Sequence, residues 1–365
     1  MTVRTRQALA QLPAYAPGRT VPGAVKLASN EMAFPPLPSV AAAIAEAVSR
    51  GAAGINRYPD NAAVALTAAL AEHVGAEPAN IAVGCGSVAL CQQLVQVACD
   101  DGDEVLFGWR SFEAYPIVTR VVGAVPATVP VTDRHALDLP AMAAAVGPRT
   151  RLVFVCSPNN PTGTLVRSAE LEAFLDSVPE DVLVVLDEAY REFVTDPGDG
   201  TVPDSTAAAL ARPNVVSLRT MSKAYGLAGL RVGYAVGQPE VIRAVQKVAL
   251  PFAVNYLAQA AAVASLTAGE ELRARCAAVA VERSRVVDGL RATGYQVPES
   301  QANFVWLPLR ERAADFAAHC EEQKVIVRPF ADATGGVRVT IGAPEENDAF
   351  LAAAASWPGL AAAQA

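Results

Sequence analysis

The chain has 365 residues, 52% hydrophobic and 18% charged, with a formal net charge of -8. This composition excludes a disordered chain, and the negative charge without any block of Lys or Arg argues against a nucleic-acid or membrane partner. Because single hydrophobic cores rarely grow to this length, we expect one large domain and a smaller one.

Three features of the sequence predict the cellular location of the protein and whether it binds a metal. They are the first residues, the cysteines and the histidines. Residues 1–18 lack the continuous apolar run of a signal peptide, and no segment reaches the ~18 apolar residues of a membrane helix. Six cysteines without a C-x-x-C pair and three scattered histidines predict reduced thiols and no metal site. We therefore expect a cytoplasmic protein.

Short apolar runs alternate with helical stretches between about residues 80 and 236. The runs are IAVG (81–84), EVLF (104–107), RLVFV (151–155), VLVVLD (182–187), NVVSLR (214–219) and RVGYAV (231–236). This rhythm predicts an α/β fold with a mostly parallel sheet buried on both faces. Ligands bind beyond the carboxyl ends of such strands, so the residues after each run are the candidate site residues.

The rest of the chain predicts a smaller α+β lobe. Helical stretches run to about residue 291, interrupted at Pro251 and at Ala268-Gly269. Strand-like pieces follow, and Pro344 opens a final helix. These pieces are NFVWLPL (303–309), VIVRPF (325–330) and GVRVTIG (336–342). We divide the chain into a large domain of residues 35–250 and a small domain of residues 1–34 and 251–365, which includes an N-terminal arm.

The stretch IAVGCGSVAL predicts a strand, a glycine turn and a helix capped by Ser87. Free N–H groups at a helix start attract anions, so Gly86, Ser87 and Val88 predict a phosphate site. The same stretch fits the dinucleotide pattern G-x-G-x-x-A from Gly84 onward. An ordinary turn and a nicotinamide-dependent oxidoreductase are therefore alternatives, although Asp103, the candidate ribose ligand, precedes a strand instead of ending one.

Polar residues follow three further runs. Asn160 lies in the loop SPNNPTG, Asp187 and Tyr190 end the run VLVVLDEAY, and Lys223 follows NVVSLR. A carboxylate at the end of a buried strand needs a cation, which the local sequence does not supply. A desolvated lysine near other cations has a lowered pKa, as Schiff-base chemistry requires. Taken singly, the loop could be a plain turn and the lysine a solvated one.

Together these features fit one cofactor, pyridoxal 5′-phosphate (PLP). PLP needs a lysine for its aldehyde, an acid for its ring nitrogen, donors for its ring oxygen, an anion site and an aromatic face. The stretches SPNNPTG, DEAY and SKAYGLAGLR resemble those of the fold-type I PLP-dependent aminotransferases, specifically the histidinol-phosphate and aromatic aminotransferase branch, over about residues 27–350. The resemblance implies the fold-type I architecture, an enzyme of amino-acid biosynthesis and a homodimer with shared active sites.

The resemblance also implies a role for each matching residue. Lys223 would carry the cofactor and move the substrate's proton, Asp187 would pair with the ring nitrogen, and Tyr190 would bind the ring oxygen. The cofactor-binding set is Gly86, Ser87, Val88, Phe112, Asn160, Asp187, Tyr190, Ser222, Lys223, Arg231 and, across the subunit interface, Tyr58. Phe112 is the ring-stacking residue, with Trp109 as the alternative.

Three residues are predicted to bind the substrate. Arg338 in GVRVTIG matches the arginine that binds the α-carboxylate as a bidentate fork. Arg328 in VIVRPF and Asn30 in LASNE are further candidates, each with a structural role as the alternative.

The expected reaction follows from the same resemblance. The stretches FGWRSFEAYP, QANFVWLPL and VRPF resemble the actinobacterial phenylalanine or aromatic amino acid aminotransferases more than the histidinol-phosphate enzymes. Phe112, Trp109 and Phe330 would form an apolar wall for an aromatic side chain. We expect amino transfer between phenylalanine, tyrosine or tryptophan and 2-oxoglutarate by a ping-pong route. Histidinol-phosphate aminotransferase is the first alternative, and a PLP-fold protein without catalysis is another.

Overall fold

The computed structural model describes residues 18–49, 54–195, 200–330 and 334–360, together with the single residues 3, 6, 9, 12 and 332. Most of the predicted N-terminal arm therefore lies outside the described residues. The strands are β1 (Val25–Lys26), β2 (Ile81–Gly84), β3 (Glu104–Trp109), β4 (Val125–Pro130), β5 (Thr150–Cys156), β6 (Leu183–Asp187), β7 (Val215–Thr220), β8 (Gly233–Val236), β9 (Phe304–Leu307), β10 (Val325–Ile326), β11 (Arg328–Phe330) and β12 (Gly336–Thr340). The helices are α1 (Pro38–Ser49), α2 (Val64–Val74), α3 (Ser87–Ala98), α4 (Ala114–Val122), α5 (Leu139–Ala145), α6 (Ser168–Ser177), α7 (Ser205–Ala211), α8 (Pro239–Val248), α9 (Tyr256–Thr267), α10 (Gly269–Ala292), α11 (Ala313–Glu322) and α12 (Pro344–Ala355).

A seven-stranded sheet forms the centre of the molecule, in the order β2-β8-β7-β6-β5-β3-β4. Strand β8 runs antiparallel to both of its neighbours, and the other pairings are parallel. Each of the six apolar runs forms a strand of this sheet, which confirms the predicted α/β fold with a mostly parallel sheet. The carboxyl ends of the parallel strands therefore meet at one edge.

Strand β4 was not among the predicted strands. Its sequence VPATVP contains Pro126 and Pro130, and proline inside an apolar run normally argues against a strand. The structure places β4 at the edge of the sheet, where it pairs only with β3. At an edge, the missing proline N–H removes no hydrogen bond that a central strand would need, so the strand is tolerated.

Helices cover both faces of the sheet. On one face, Leu90 of α3, Val118 of α4 and Ile242 of α8 pack against the strands, and on the other Met142 of α5 and Phe174 of α6 do so. Each fully buried side chain of this size contributes about 1.5–3 kcal/mol. Burial on both faces explains why the strands appear in the sequence as continuous apolar runs.

Two smaller sheets form beside the central one. Strands β11, β12 and β9 pair antiparallel, and β1 pairs in parallel with β10. The run VIVRPF, predicted as one strand, is divided at Val327 between β10 and β11. The pairing of β1 with β10 supports the proposal that residues before 35 belong to the small domain with residues 251–365, but the boundaries themselves stay a prediction.

The described ranges also bear on membrane spans and metals. Within them, no helix combines the length and apolar character needed to cross a bilayer. The same residues contain no group of three or more His, Cys, Asp or Glu side chains that could hold a metal ion. All six cysteines have free thiols.

Candidate active site

A cavity of about 630 Å³ opens at the carboxyl edge of the central sheet. Its walls come from the ends of the central strands and from the small sheets. The predicted site residues that line it are Asn30, Ser87, Val88, Phe112, Asn160, Asp187, Tyr190, Ser222, Lys223, Arg231, Arg328 and Arg338. A larger open cleft of about 1080 Å³ contains none of the predicted site residues, so size alone does not locate the site.

Lys223 follows β7 and extends into the cavity. Its Nζ donates a hydrogen bond to the backbone oxygen of Ser29 at 3.1 Å. Burial, with smaller contributions from the positive charges of Arg338 and Arg231, lowers the pKa of Lys223 to about 7. Near neutral pH a large fraction of this amine is therefore unprotonated, which is the form that attacks an aldehyde or accepts a proton.

Asp187 is the last residue of β6, and its side chain is buried in the cavity wall. Its Oδ2 accepts a hydrogen bond from the Tyr115 hydroxyl at 2.6 Å, and its Oδ1 accepts one from the Ala189 N–H at 3.2 Å. Burial raises the pKa of Asp187 to about 6, although these two hydrogen bonds act in the opposite direction. Among the ion pairs between described residues, none involves Asp187, so this part of the chain does not supply the cation that the sequence predicts.

Tyr115 is a site residue that the sequence reasoning missed. It lies in the first turn of α4, fully buried, with its ring stacked on Phe154 at a centroid distance of 4.2 Å. A buried tyrosine hydroxyl requires a partner, and here the partner is Asp187. The signal was a tyrosine within an otherwise apolar helix face, but nothing in the sequence identified the acceptor, which lies 72 positions away.

A hydrogen-bond network joins residues in and beside the small sheets to the loops at the strand ends of the central sheet. The Asn30 side-chain amide donates to the Tyr190 hydroxyl at 2.9 Å. Arg338 donates to Asn160 Oδ1 at 2.6 Å and to the Ala28 backbone oxygen at 2.8 Å. Burial raises the pKa of Tyr190 above its ordinary value. Hydrogen bonds within the chain thus position four of the predicted residues.

The glycine turn before α3 differs in detail from the prediction. Gly86, and not Ser87, caps the helix, with φ 74° and ψ 162°, and Ser87 is the first helical residue. Gly86 takes the cap position that we predicted for Ser87 because this left-handed φ suits glycine and not serine. A Cβ at position 86 would also clash with the Arg231 guanidinium. Arg231 in turn donates to Ser222 Oγ at 3.2 Å, so the helix start, a hydroxyl and a cation converge as an anion site requires.

The three aromatic candidates, Phe112, Trp109 and Phe330, differ in whether they line the cavity. Phe112 lines the cavity, and its ring meets Tyr115 edge-on at 5.5 Å. Trp109 is outside the lining, where it packs against Phe107 at 6.0 Å. Phe330 is also outside the lining, so of the three residues expected to form an apolar wall only Phe112 does so directly.

Two ion pairs at the cavity were not predicted. Arg328 contacts Glu113 with a nitrogen–oxygen distance of 3.0 Å, and Lys26 contacts Glu31 at 2.9 Å. All four side chains line the cavity and are partly exposed. The acids therefore offset two of the cations that line the cavity.

Tyr58 lies outside the cavity. It is 82% exposed, and its ring stacks on Phe252 at 4.5 Å. Its predicted contact with a cofactor phosphate therefore requires a second chain.

Comparison with known proteins gives consistent matches. The family model for aminotransferase class I and II matches residues 22–354. The chain is 62% identical to an aromatic amino acid aminotransferase of Mycobacteroides abscessus, over 98% of this chain and 100% of that protein. It is 60% identical to a protein of the same description from Rhodococcus jostii, over 98% of this chain and 96% of that one. Among solved structures, a histidinol-phosphate aminotransferase from Sinorhizobium meliloti in complex with pyridoxal-5′-phosphate superimposes with a TM-score of 0.86 at 30% identity, covering 100% of this chain and 99% of that one.

Proposed function

Since the chain belongs to the aminotransferase class I and II family, we propose that it transfers the amino group between an aromatic amino acid and 2-oxoglutarate. The chain is a PLP-dependent transaminase of fold type I. The substrates proposed are phenylalanine, tyrosine and tryptophan, by a ping-pong route. The relatives described as aromatic amino acid aminotransferases, 57–62% identical over nearly the whole chain, support this choice.

The residues of the cavity fit PLP. The observation that carries this conclusion is Asp187, a buried carboxylate with a raised pKa and no cation partner among the described residues. A protonated ring nitrogen would supply that cation. Lys223, with a pKa lowered to about 7, lines the same cavity.

We assign the other cofactor contacts to residues that already converge. Ser222, Arg231 and the start of α3 at Ser87 would hold the phosphate, together with the backbone of Gly86 and Val88. Asn160 and Tyr190 would bind the ring oxygen, and Phe112 would cover the ring face. These contact residues lie in strand-end loops or at helix starts, which fixes their position relative to the sheet.

Each catalytic residue has a separate task. When bound, PLP would supply an electron sink for the electrons of the substrate's Cα–H bond. Lys223 Nζ removes the proton from Cα and returns a proton, because its lowered pKa lets it act as base and acid near pH 7. Arg338 orients the substrate by its α-carboxylate, and Asn30 holds the Tyr190 hydroxyl in place.

Histidinol-phosphate aminotransferase remains the second candidate. A solved structure with that description shares the fold at 30% identity, and Arg328 adds a second cation to the substrate end. The nicotinamide alternative has no support in these matches, since the glycine turn belongs to the matched family segment.

The test offers purified holoenzyme three amino donors with 2-oxoglutarate. Phenylalanine and tyrosine should discharge the bound cofactor's absorption band and yield glutamate faster than histidinol phosphate does. No transamination of any aromatic amino acid would remove the proposal, and a faster reaction with histidinol phosphate would select the second candidate.

We further propose a homodimer with shared active sites. Two neighbouring segments expose large apolar side chains, with Ile55, Tyr58 and Val64 on one and Leu250 and Phe252 on the other. Clustered exposed apolar side chains of this size mark protein interfaces. Sedimentation should give the mass of two 37.9 kDa chains, and Tyr58→Phe should weaken cofactor binding without changing that mass. A single-chain mass would contradict the proposal.

The expected cytoplasmic location also stays a proposal. It is supported by the six free thiols, five of them buried, which are typical of a reducing compartment. Fractionation of the source cells, with recovery in the membrane or secreted fraction as the contrary result, tests it.

A further inference from the structure

The substrate end of the cavity contains two arginines side by side. Arg328 on β11 lies directly opposite Arg338 on β12 in the antiparallel register. Their guanidinium carbons lie 5.6 Å and 5.8 Å from the centre of the Phe330 ring, and both residues line the cavity. Two positive charges in such a pair repel each other, and together they would suit a ligand with two anionic groups.

Glu113 offsets one of these charges. Its two carboxylate oxygens lie 3.0 Å and 3.3 Å from the same Arg328 nitrogen. Glu113 directly precedes α4, a helix of nine residues, and a negative charge is favoured at a helix start. The side chains are 29% exposed for Glu113 and 17% for Arg328, so the pair is only partly screened by water.

We propose that Glu113 is a specificity-determining residue, which occupies Arg328 and so disfavours substrates whose side chain ends in an anion. This inference rests on the proposed function, in which a single site accepts both an aromatic side chain and the carboxylate of 2-oxoglutarate. An uncharged aromatic ring leaves the Glu113–Arg328 pair intact. A distal carboxylate or phosphate must compete with Glu113 for the guanidinium.

This competition predicts an asymmetry between the two substrate types. Binding of the α-carboxylate at Arg338 is common to both and does not involve Glu113. The second anionic group of a diacid can contact Arg328 only if Arg328 gives up, or shares, its existing contact with Glu113. Removal of the Glu113 charge should therefore favour diacids selectively instead of improving binding in general.

The experiment measures binding of two substrate-like acids to the PLP-loaded enzyme by calorimetry. Glutarate represents the diacid, and 3-phenylpropanoate represents the aromatic monoacid. In Glu113→Gln, the dissociation constant of glutarate should fall up to about 5-fold, the equivalent of the roughly 1 kcal/mol that a partly exposed ion pair contributes. The dissociation constant of 3-phenylpropanoate should change less than about twofold, because its ring does not use Arg328.

Two control variants separate this effect from a general change in charge. Glu104→Gln makes the same substitution, but Glu104 pairs with Arg149, and neither residue is in the cavity lining. It should leave the dissociation constant of glutarate unchanged. The double variant Glu113→Gln/Arg328→Gln should lose the gain in glutarate affinity, since the gain requires a free Arg328.

The outcomes separate the inference from the proposed function. If Glu113→Gln binds 3-phenylpropanoate normally and shows no gain for glutarate, or if Glu104→Gln shows the same gain, the role of Glu113 is wrong. If the gain appears but wild type transaminates no aromatic amino acid, the proposed function fails and the electrostatic role of Glu113 stands.

Discussion

The two ends of the cavity differ in whether their acidic side chains have a cation partner. At the inner end, here the group Asp187, Tyr190 and Lys223, the side chains have shifted pKa values, and the acid has no cation partner among the described residues. At the outer end, here the pairs Glu113–Arg328 and Lys26–Glu31, each acid already has a cation.

The difference shows which end requires a ligand. A buried carboxylate is costly until a cation reaches it, so the inner end gains most when a cationic ring binds. The outer pairs are partly exposed and internally neutralised, and pairs of this kind contribute at most about 1 kcal/mol each. We therefore expect changes at the inner end to abolish function and changes at the outer end to adjust selectivity.

The largest expected effect comes from Lys223→Ala. The variant loses both the amine that attaches the cofactor and the base at Cα, so the transamination rate should fall at least about 10⁴-fold. Borohydride reduction of the holoenzyme, followed by denaturation and mass measurement, should leave the cofactor attached to wild type but not to the variant.

The matched control is Lys26→Ala, which removes another lysine that lines the cavity. It should retain the covalently attached cofactor after reduction, because Lys26 lies in the outer group with Glu31. Covalent cofactor on Lys223→Ala, or its loss from Lys26→Ala, would contradict the assignment of the two ends.

The same contrast separates the site residues that the sequence predicts from those that it does not. Lys223, Asp187 and Asn160 were predictable because each ends or follows an apolar run that had to be a strand, and parallel strands end at a common edge. The family resemblance then assigned their roles. Phe112 was distinguished from Trp109 by the same resemblance, and in the structure only Phe112 of the two borders the cavity.

The missed features depend on contacts between distant parts of the chain. Glu113 and Arg328 are 215 positions apart, and their pairing arises only when β11 comes next to the residue that precedes α4. Strand β4 was missed because its edge position, which tolerates proline, is a property of the whole sheet. Gly86 was not recognised as the helix cap because the serine after it fits the usual preference.

We expect substitutions at the two ends to have smaller effects on the free energy of unfolding of the cofactor-free protein. These effects should be opposite in sign. Burial raises the pKa of Asp187 from its ordinary value of 3.8 to about 6. Between these values the unfolded chain loses its proton first, so wild-type stability falls as pH rises from about 4 to 6 and stays reduced above. Asp187→Asn avoids this loss and should raise the free energy of unfolding by up to about 3 kcal/mol at pH 7.

Denaturant unfolding of the cofactor-free proteins at pH 5, 6 and 7 measures this difference. The advantage of Asp187→Asn over wild type should grow across that range, while its affinity for PLP falls, because the ring nitrogen loses its counter-charge. Glu113→Gln should instead lower the free energy of unfolding by up to about 1 kcal/mol, since it breaks a pair that is already complete. If Asp187→Asn is the less stable protein at pH 7, the inner end is not organised around a missing cation.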